Sequence, residues 1–326
     1  MAWADRIFSI SSPSAFEKIS LEIFAYQARY CQVYAAYLSL LAIKPADIGR
    51  VKDIPFLPIE FFKSHKVTST TLEPQIVFSS SGTTGSIPSK HNVADVALYE
   101  RSFRAAFEQF YGGLSDMAVI ALLPSYSERE GSSLIYMVDD LICRSAHPLS
   151  GYFLHNHHEL HQTLQELKAD GTKTLLIGVT YALLDFAENH LIDFPGLIIM
   201  ETGGMKGHRR EMIREEVHER LCSGFNVSHI HSEYGMTELL SQAYSKGNGL
   251  FHCPPWMQIH IRDTNDPFGT LPLGRTGAIN IIDLANIHSC AFIATQDLGK
   301  RYPDGSFEVL GRFDQSDIRG CNLLVQ

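Results

Sequence analysis

The sequence predicts an α/β protein in which a large domain with a mostly parallel sheet flanked by helices is joined by a small antiparallel β subdomain. Two observations predict it. Between residues 75 and 231, short and largely apolar runs alternate with longer helical segments, the pattern of a parallel sheet covered on both faces. Beyond residue 250 the runs shorten and are separated by turn residues such as Asp304-Gly305, the pattern of paired hairpin strands. The boundaries that follow are an α/β core over 1–250, a β subdomain of the same domain over 251–310, and a tail over 311–326. No internal repeat or low-complexity linker interrupts them.

Taken in order, residues 14–43 carry Ile19, Ile23, Tyr26, Tyr30 and Val33 at helical spacing, which predicts one or two amphipathic helices. Residues 54–63 hold Pro55 and Pro58 among three phenylalanines and are expected to be extended. They read as core packing, with one wall of an apolar acyl pocket as the functional alternative. Residues 75–78 predict a strand, and 93–111 a helix with Asn92 as its N-cap. Further strands are expected at 118–123, 173–179, 197–200 and 227–231, with helices over 132–144, 181–190 and 208–222. The later strands are 259–261, 277–283, 291–295 and 307–310. Ligands of parallel sheets sit beyond the carboxyl ends of the strands. The loops at 79–86, 201–206 and 233–238 each follow a predicted strand, so one shared edge is expected.

Composition narrows the function. Of 326 residues, 45% are hydrophobic and 19% charged, ordinary for a soluble globular protein. A net charge of −9 argues against nucleic-acid binding as a main task, because phosphate contacts need a basic face. No apolar run approaches the roughly 20 residues of a membrane helix. The start, Met1 to Arg6, lacks the plan of a signal peptide. Cys31, Cys143, Cys222, Cys253, Cys290 and Cys321 show no C-x-x-C spacing and read as free thiols in a reducing cytoplasm. His157 and His161 lie one helical turn apart, beside His155 and His158, and are expected to be a solvated helix start instead of a metal site. His231 is expected near the acyl pocket and His229 to be structural.

The stretch that points to chemistry is Ser79-Ser80-Ser81-Gly82-Thr83-Thr84-Gly85-Ser86. Two glycines let several N–H groups face one anion, and the hydroxyls add donors without fixed charge. It is not a Walker loop, whose G-x-x-x-x-G-K-[ST] spacing is absent. Ser80 to Gly85 resembles the phosphate loop of the adenylate-forming enzymes, the acyl- and aryl-activating superfamily. Glu233-Tyr234-Gly235-Met236-Thr237-Glu238 resembles the Y-G-x-T-E motif of that family, Thr295-Gln296-Asp297-Leu298-Gly299 its T-x-D-x-G motif, and Gly311-Arg312-Phe313-Asp314 its G-R-x-D hinge. The four stand in the family's chain order. Three further segments resemble the branch of bacterial-luminescence acyl-protein synthetases, the LuxE type: residues 54–63, Glu201-Thr202-Gly203-Gly204-Met205-Lys206, and Arg319 to Leu323.

The resemblance implies a large adenylate-forming N-terminal-type domain that uses ATP and Mg2+ to activate a fatty or other carboxylic acid. It implies that Ser80, Ser81, Gly82, Thr83, Thr84 and Gly85 hold the β- and γ-phosphates, that Thr237 contacts the α-phosphate and that Glu238 holds magnesium. Tyr234 would stack on adenine, with Gly203 and Gly204 lining the ring and Gly235 in the same motif. Asp297 would accept the ribose hydroxyls and Arg312 donate to them. Lys206, on a loop between a strand and a helix, is a candidate to neutralise phosphate charge. The family's C-terminal lid domain, with its adenylation lysine, is expected to be absent, since too few residues follow Gly311 to bury a core. The branch resemblance implies instead that Cys321 accepts the acyl group as an enzyme thioester, with Arg319 favouring the thiolate. A protein partner, a reductase or an acyltransferase, would then receive it. The rival readings are a truncated acyl- or aryl-CoA ligase and a nucleotide-binding subunit active only in a complex.

Overall fold

Residues 117–122 are apolar throughout, and every one of them is buried, as a strand covered on both faces requires. In the computed structural model, which describes residues 3–80, 87–125, 128–203 and 212–312, this strand belongs to one of two compact units. The first unit comprises residues 1–102, 237–241 and 252–326; the second comprises 103–236 and 242–251.

In the second unit Met117–Leu122, Lys173–Gly178, Ile198–Glu201 and His231–Tyr234 pair in parallel, in that order. Gly151–Tyr152 adds a parallel strand beside Met117–Leu122, and Ala243–Ser245 runs antiparallel to His231–Tyr234. Helices Ser133–Ser145, His157–Ala169, Thr180–Asn189 and Arg214–Phe225 connect them. The Ser132 hydroxyl caps the first, accepting from the Ile135 N–H, and the Asn156 side chain caps the second. Two expectations need correction. The strand expected at 227–231 is His231–Tyr234, so Glu233 and Tyr234 lie in the strand and not in a loop after it. Polar His231, Ser232 and Glu233 masked it, whereas apolar Val227 and Ile230 pack from a connecting segment. The last helix runs to Phe225, beyond the expected end at 222, and 208–211 fall outside the described residues.

In the first unit Met257–Arg262, Thr276–Asp283, Phe292–Arg301 and Phe307–Arg312 form an antiparallel sheet, and Leu57–Pro58 adds a parallel strand to Phe292–Arg301. Helices Trp3–Phe8, Pro13–Tyr30 and Gln32–Leu40 precede it, so residues 14–43 give two helices. Gln27, fully buried, donates to the carbonyls of Asn286 and Ile287 and accepts from the Ala291 N–H. That amide leaves little capacity unused, as burial of a polar group demands. Ile76–Ser79 and Lys90–Val93 form a hairpin, and the helix Val96–Tyr111 follows. Asn92 is therefore not an N-cap: it is a strand residue opposite Val77, and the helix begins later. The first N–H groups of that helix are met by Gln75 Oε1 and Asp95 Oδ1. Residues 54–63 are extended only at their start, since Phe61–Ser64 is a helical turn beyond the reach of Pro58. Among the described residues, no helix is long and apolar enough to cross a membrane.

Candidate active site

Asp297 and Arg312 stand directly opposite each other on neighbouring strands of the first unit. The Arg312 Nε donates to Asp297 Oδ1 at 3.1 Å. Asp297 is 6% exposed, whereas the Arg312 side chain is 77% exposed, so a buried acceptor carries a solvent-facing cation. Behind the pair, the Asp297 N–H donates to Thr295 Oγ1, whose hydroxyl donates to the Ile279 carbonyl. The glycine two residues on is compulsory: a Cβ at Gly299 would lie 2.5 Å from the Glu308 carbonyl oxygen and 2.6 Å from Ile279 Cδ1.

The 237–241 turn supplies the second group. Glu238 is 5% exposed, and burial raises its carboxyl above the ordinary range; a hydrogen bond from Ser89 and the charges of Arg312 and Lys63 oppose the rise. A carboxylate beside a hydroxyl is a pair of hard oxygen donors, which fits magnesium. His91 donates from Nδ1 to the Thr237 carbonyl at 2.9 Å, and Asn286 Nδ2 donates to the Glu238 carbonyl at 2.7 Å. Burial lowers the His91 pKa to about 4, so the ring is neutral and carries its proton on Nδ1. Asp283 accepts from the N–H groups of Leu240 and Ser241 and from the Ser241 hydroxyl. At the foot of the Ser/Gly loop, Ser80 N–H donates to the Ser89 carbonyl and Ser89 N–H donates to Ser80 Oγ.

The second unit holds the rest. Glu201 ends its strand, and its Oε2 accepts from the Gly203 N–H at 2.7 Å and from the Thr180 hydroxyl at 3.1 Å. His218 Nε2 lies 3.8 Å from Glu201 Oε1. Burial alone would raise this carboxyl, but His218 and Arg214 outweigh it and hold it at about 2. Glu233 goes the other way, pushed up to about 8 by burial and by the Glu201 charge. Its Oε1 lies 2.4 Å from where a Cβ at Gly235 would sit, which explains the glycine of this motif. Tyr234 is buried with its ring edge toward Phe251, at 5.9 Å. His231 Nδ1 accepts from the Tyr111 hydroxyl at 3.3 Å, and burial lowers its pKa to about 4.

Of the residues expected at the site, Ser80, Thr237, Glu238, Asp297 and Arg312 belong to the first unit and Gly203, Tyr234 and Gly235 to the second. Ser81, Gly82, Thr83, Thr84, Gly85, Gly204, Lys206, Arg319 and Cys321 lie outside the described residues. The histidine group at 155–161 is only partly a solvated helix start: His155 and His158 are exposed, but His157 and His161 pack against His190. Sequence reasoning assigned no role to His91, Asn286, Ser89, Lys63, Glu201 or Glu233. Glu201 and Glu233 stood inside quoted motifs and Lys63 at the end of the 54–63 segment; His91, Asn286 and Ser89 leave no local pattern.

No protein-family model matches the sequence, and a search of curated proteins finds no match. Solved structures do match. An open conformation of 2-hydroxyisobutyryl-CoA ligase in complex with 2-HIB-AMP and CoA aligns over 95% of this chain and 78% of its own, with TM-score 0.67 and 13% identity. The same ligase in its thioesterification state gives TM-score 0.68 and 13% identity over 95% of this chain and 71% of its own. ATP-bound MatB from Rhodopseudomonas palustris gives TM-score 0.54 and 15% identity over 72% of this chain and 47% of its own. This chain therefore spans about half the length of MatB. The fold is that of the N-terminal domain of adenylate-forming ligases.

Proposed function

We propose that this chain activates a carboxylic acid, with a fatty acid preferred, by ATP-dependent adenylation and then carries the acyl group on Cys321. A carboxylate oxygen attacks the α-phosphorus, the bond to pyrophosphate breaks, and acyl-AMP forms. The Cys321 thiolate next attacks the acyl carbonyl, AMP leaves, and a thioester remains for a reductase or acyltransferase partner in the cytoplasm. What supports the adenylation half most is the Asp297–Arg312 pair, a buried carboxylate held beside a cation on a fold shared with a ligase that binds an acyl-AMP.

In this reading Asp297 accepts the ribose hydroxyls and Arg312 donates to them. Ser80, Ser81, Gly82, Thr83, Thr84 and Gly85 hold the outer phosphates, with Lys206 as a neighbouring cation. Thr237 holds the α-phosphate. Tyr234, Gly235, Gly203 and Gly204 take the adenine side. Magnesium, held by Glu238, would supply charge neutralisation for the departing pyrophosphate. A second reading, acyl-CoA synthesis, is favoured by the CoA-bound state of the similar ligase.

Exchange of labelled pyrophosphate into ATP, run with a panel of carboxylic acids and magnesium, tests the first half-reaction. Exchange supported by fatty acids is expected; none with any acid would sink the proposal. Adding coenzyme A and looking for acyl-CoA separates the second reading. Labelled fatty acid with ATP should leave a protein label that neutral hydroxylamine removes, and Cys321→Ser should abolish it while exchange persists.

A further inference from the structure

The direction in which a side chain leaves the backbone is fixed by the two peptide planes that flank its Cα, because each peptide is planar and only φ and ψ remain soft. For Glu238 those planes are the 237–238 and 238–239 peptides. The carbonyl of the first accepts from His91 Nδ1 at 2.9 Å, and the carbonyl of the second accepts from Asn286 Nδ2 at 2.7 Å. Both planes are therefore held by buried side chains from outside the turn: His91 from the strand Lys90–Val93 and Asn286 from the short helical turn Leu284–Asn286. Neither donor is loose. His91 is packed edge-on by Phe62 at 5.7 Å between ring centroids, and Asn286 is fully buried. Two and three residues beyond Glu238, Asp283 accepts from the N–H groups of Leu240 and Ser241 and holds the far end of the turn.

The turn is buried from Glu238 to Ser241, so these carbonyls must be paired in any case; here the pairing takes the form of a two-sided grip by side chains of other elements. Such a grip is what a metal-ligating carboxylate needs, because second-layer hydrogen bonds set ligand orientation and hence affinity. We propose that His91 and Asn286 are positioning residues that aim the Glu238 carboxylate by pinning the two peptide planes on either side of its Cα. The inference rests on the reading of Glu238 as the magnesium ligand of an ATP site. His91 acts as a neutral donor, and replacement by a residue with an amide N–H at the same distance from the backbone preserves its function.

The test measures ATP affinity by calorimetry, once with magnesium and once with EDTA, in the full chain. His91→Leu and Asn286→Leu should each reduce the tightening of ATP binding by magnesium about tenfold, while affinity in EDTA changes less than about twofold. His91→Asn, which keeps a donor at the Nδ1 position, should recover the magnesium effect to within about threefold of the natural protein. If Asn286→Leu does not fold, the His91→Leu and His91→Asn pair carries the test alone. Equal loss in magnesium and EDTA would assign the two residues to general structure and overturn the proposal, as would an undiminished magnesium effect. Absence of ATP binding by the natural protein is a different result: it removes the nucleotide-site reading, and the clamp with it.

Discussion

Asp283 in the first unit and Glu201 in the second are both buried carboxylates gripped by several donors, yet they end in opposite states. Among the described residues Asp283 meets neutral donors alone, two backbone N–H groups of the 237–241 turn, the Ala285 N–H and the Ser241 hydroxyl, and burial still pushes it up to about 6. Glu201 meets the Gly203 N–H and Thr180 hydroxyl, but also Arg214 and His218, and falls to about 2. Neutral dipoles only offset desolvation; a cation reverses it. The reversal has a cost beside it, for the retained charge of Glu201 helps push Glu233 up to about 8. Near neutral pH the Glu201–Glu233 pair therefore carries one negative charge.

The comparison breaks most visibly at Glu201. Glu201→Gln should cost about 3–5 kcal/mol, because Arg214 loses its buried counter-charge and His218 its carboxylate acceptor. A thermal midpoint close to that of the natural protein would show that these two side chains do not hold this carboxylate. The first unit should respond in binding instead. Under the proposed nucleotide site, Asp297→Ala would remove two charge-assisted hydrogen bonds to ribose, each worth roughly 1.5–3 kcal/mol, and should weaken ATP about a hundredfold or more. Its melting should hardly change, and an unaltered dissociation constant in calorimetry would remove Asp297 from the nucleotide site.

A smaller effect sharpens the contrast by pH. Glu233 is raised, so its stabilising proton is fully present below its unfolded value of about 4.3 and is lost as pH rises through about 8. Glu201 is lowered, so its contribution is present above that value and is lost as pH falls toward about 2. Glu233→Gln should flatten the decline in stability between pH 5 and 8 by on the order of 1–2 kcal/mol, since the side chain keeps some contact with solvent. Parallel stability curves for the two proteins would refute the shared-charge account. The smallest effect is expected from Tyr111→Phe, which deletes the hydrogen bond to His231 and should cost about 1 kcal/mol. Chemical unfolding can resolve that difference.

The two units also differed in how far the sequence disclosed them. Continuous apolar runs announced Met117–Leu122, Lys173–Gly178 and Ile198–Glu201 nearly to the residue, because a strand buried on both faces has no polar interruptions to misread. The antiparallel strands were harder. Phe292–Arg301 extends well past the expected end at 295, since Gln296, Asp297 and Lys300 break the apolar run although Asp297 and Lys300 still pair. Asn92 looked like a helix cap because asparagine is a good one; its strand is set by pairing with residues on the far side of the Ser/Gly loop. The motifs named Asp297, Arg312 and Glu238 as candidate site residues. The residues that hold Glu238 were invisible, because His91 reaches a carbonyl 146 positions away and Asn286 one 48 positions away. Hydrogen bonds to backbone impose no pattern on the partner's side chains.

Ser80 and Ser89 close the base of the Ser/Gly segment with a reciprocal pair of hydrogen bonds. For a polymer tethered at both ends, the entropy of closure grows only with the logarithm of contour length, about 0.6 kcal/mol for each doubling. Lengthening the chain between the two serines by a few residues is therefore a minor thermodynamic perturbation, provided the tether itself survives. Breaking the tether is another matter, because the slack then passes to the strand that carries His91. Insertions at this point thus separate loop length from anchor geometry, two variables that substitutions within the loop always change together.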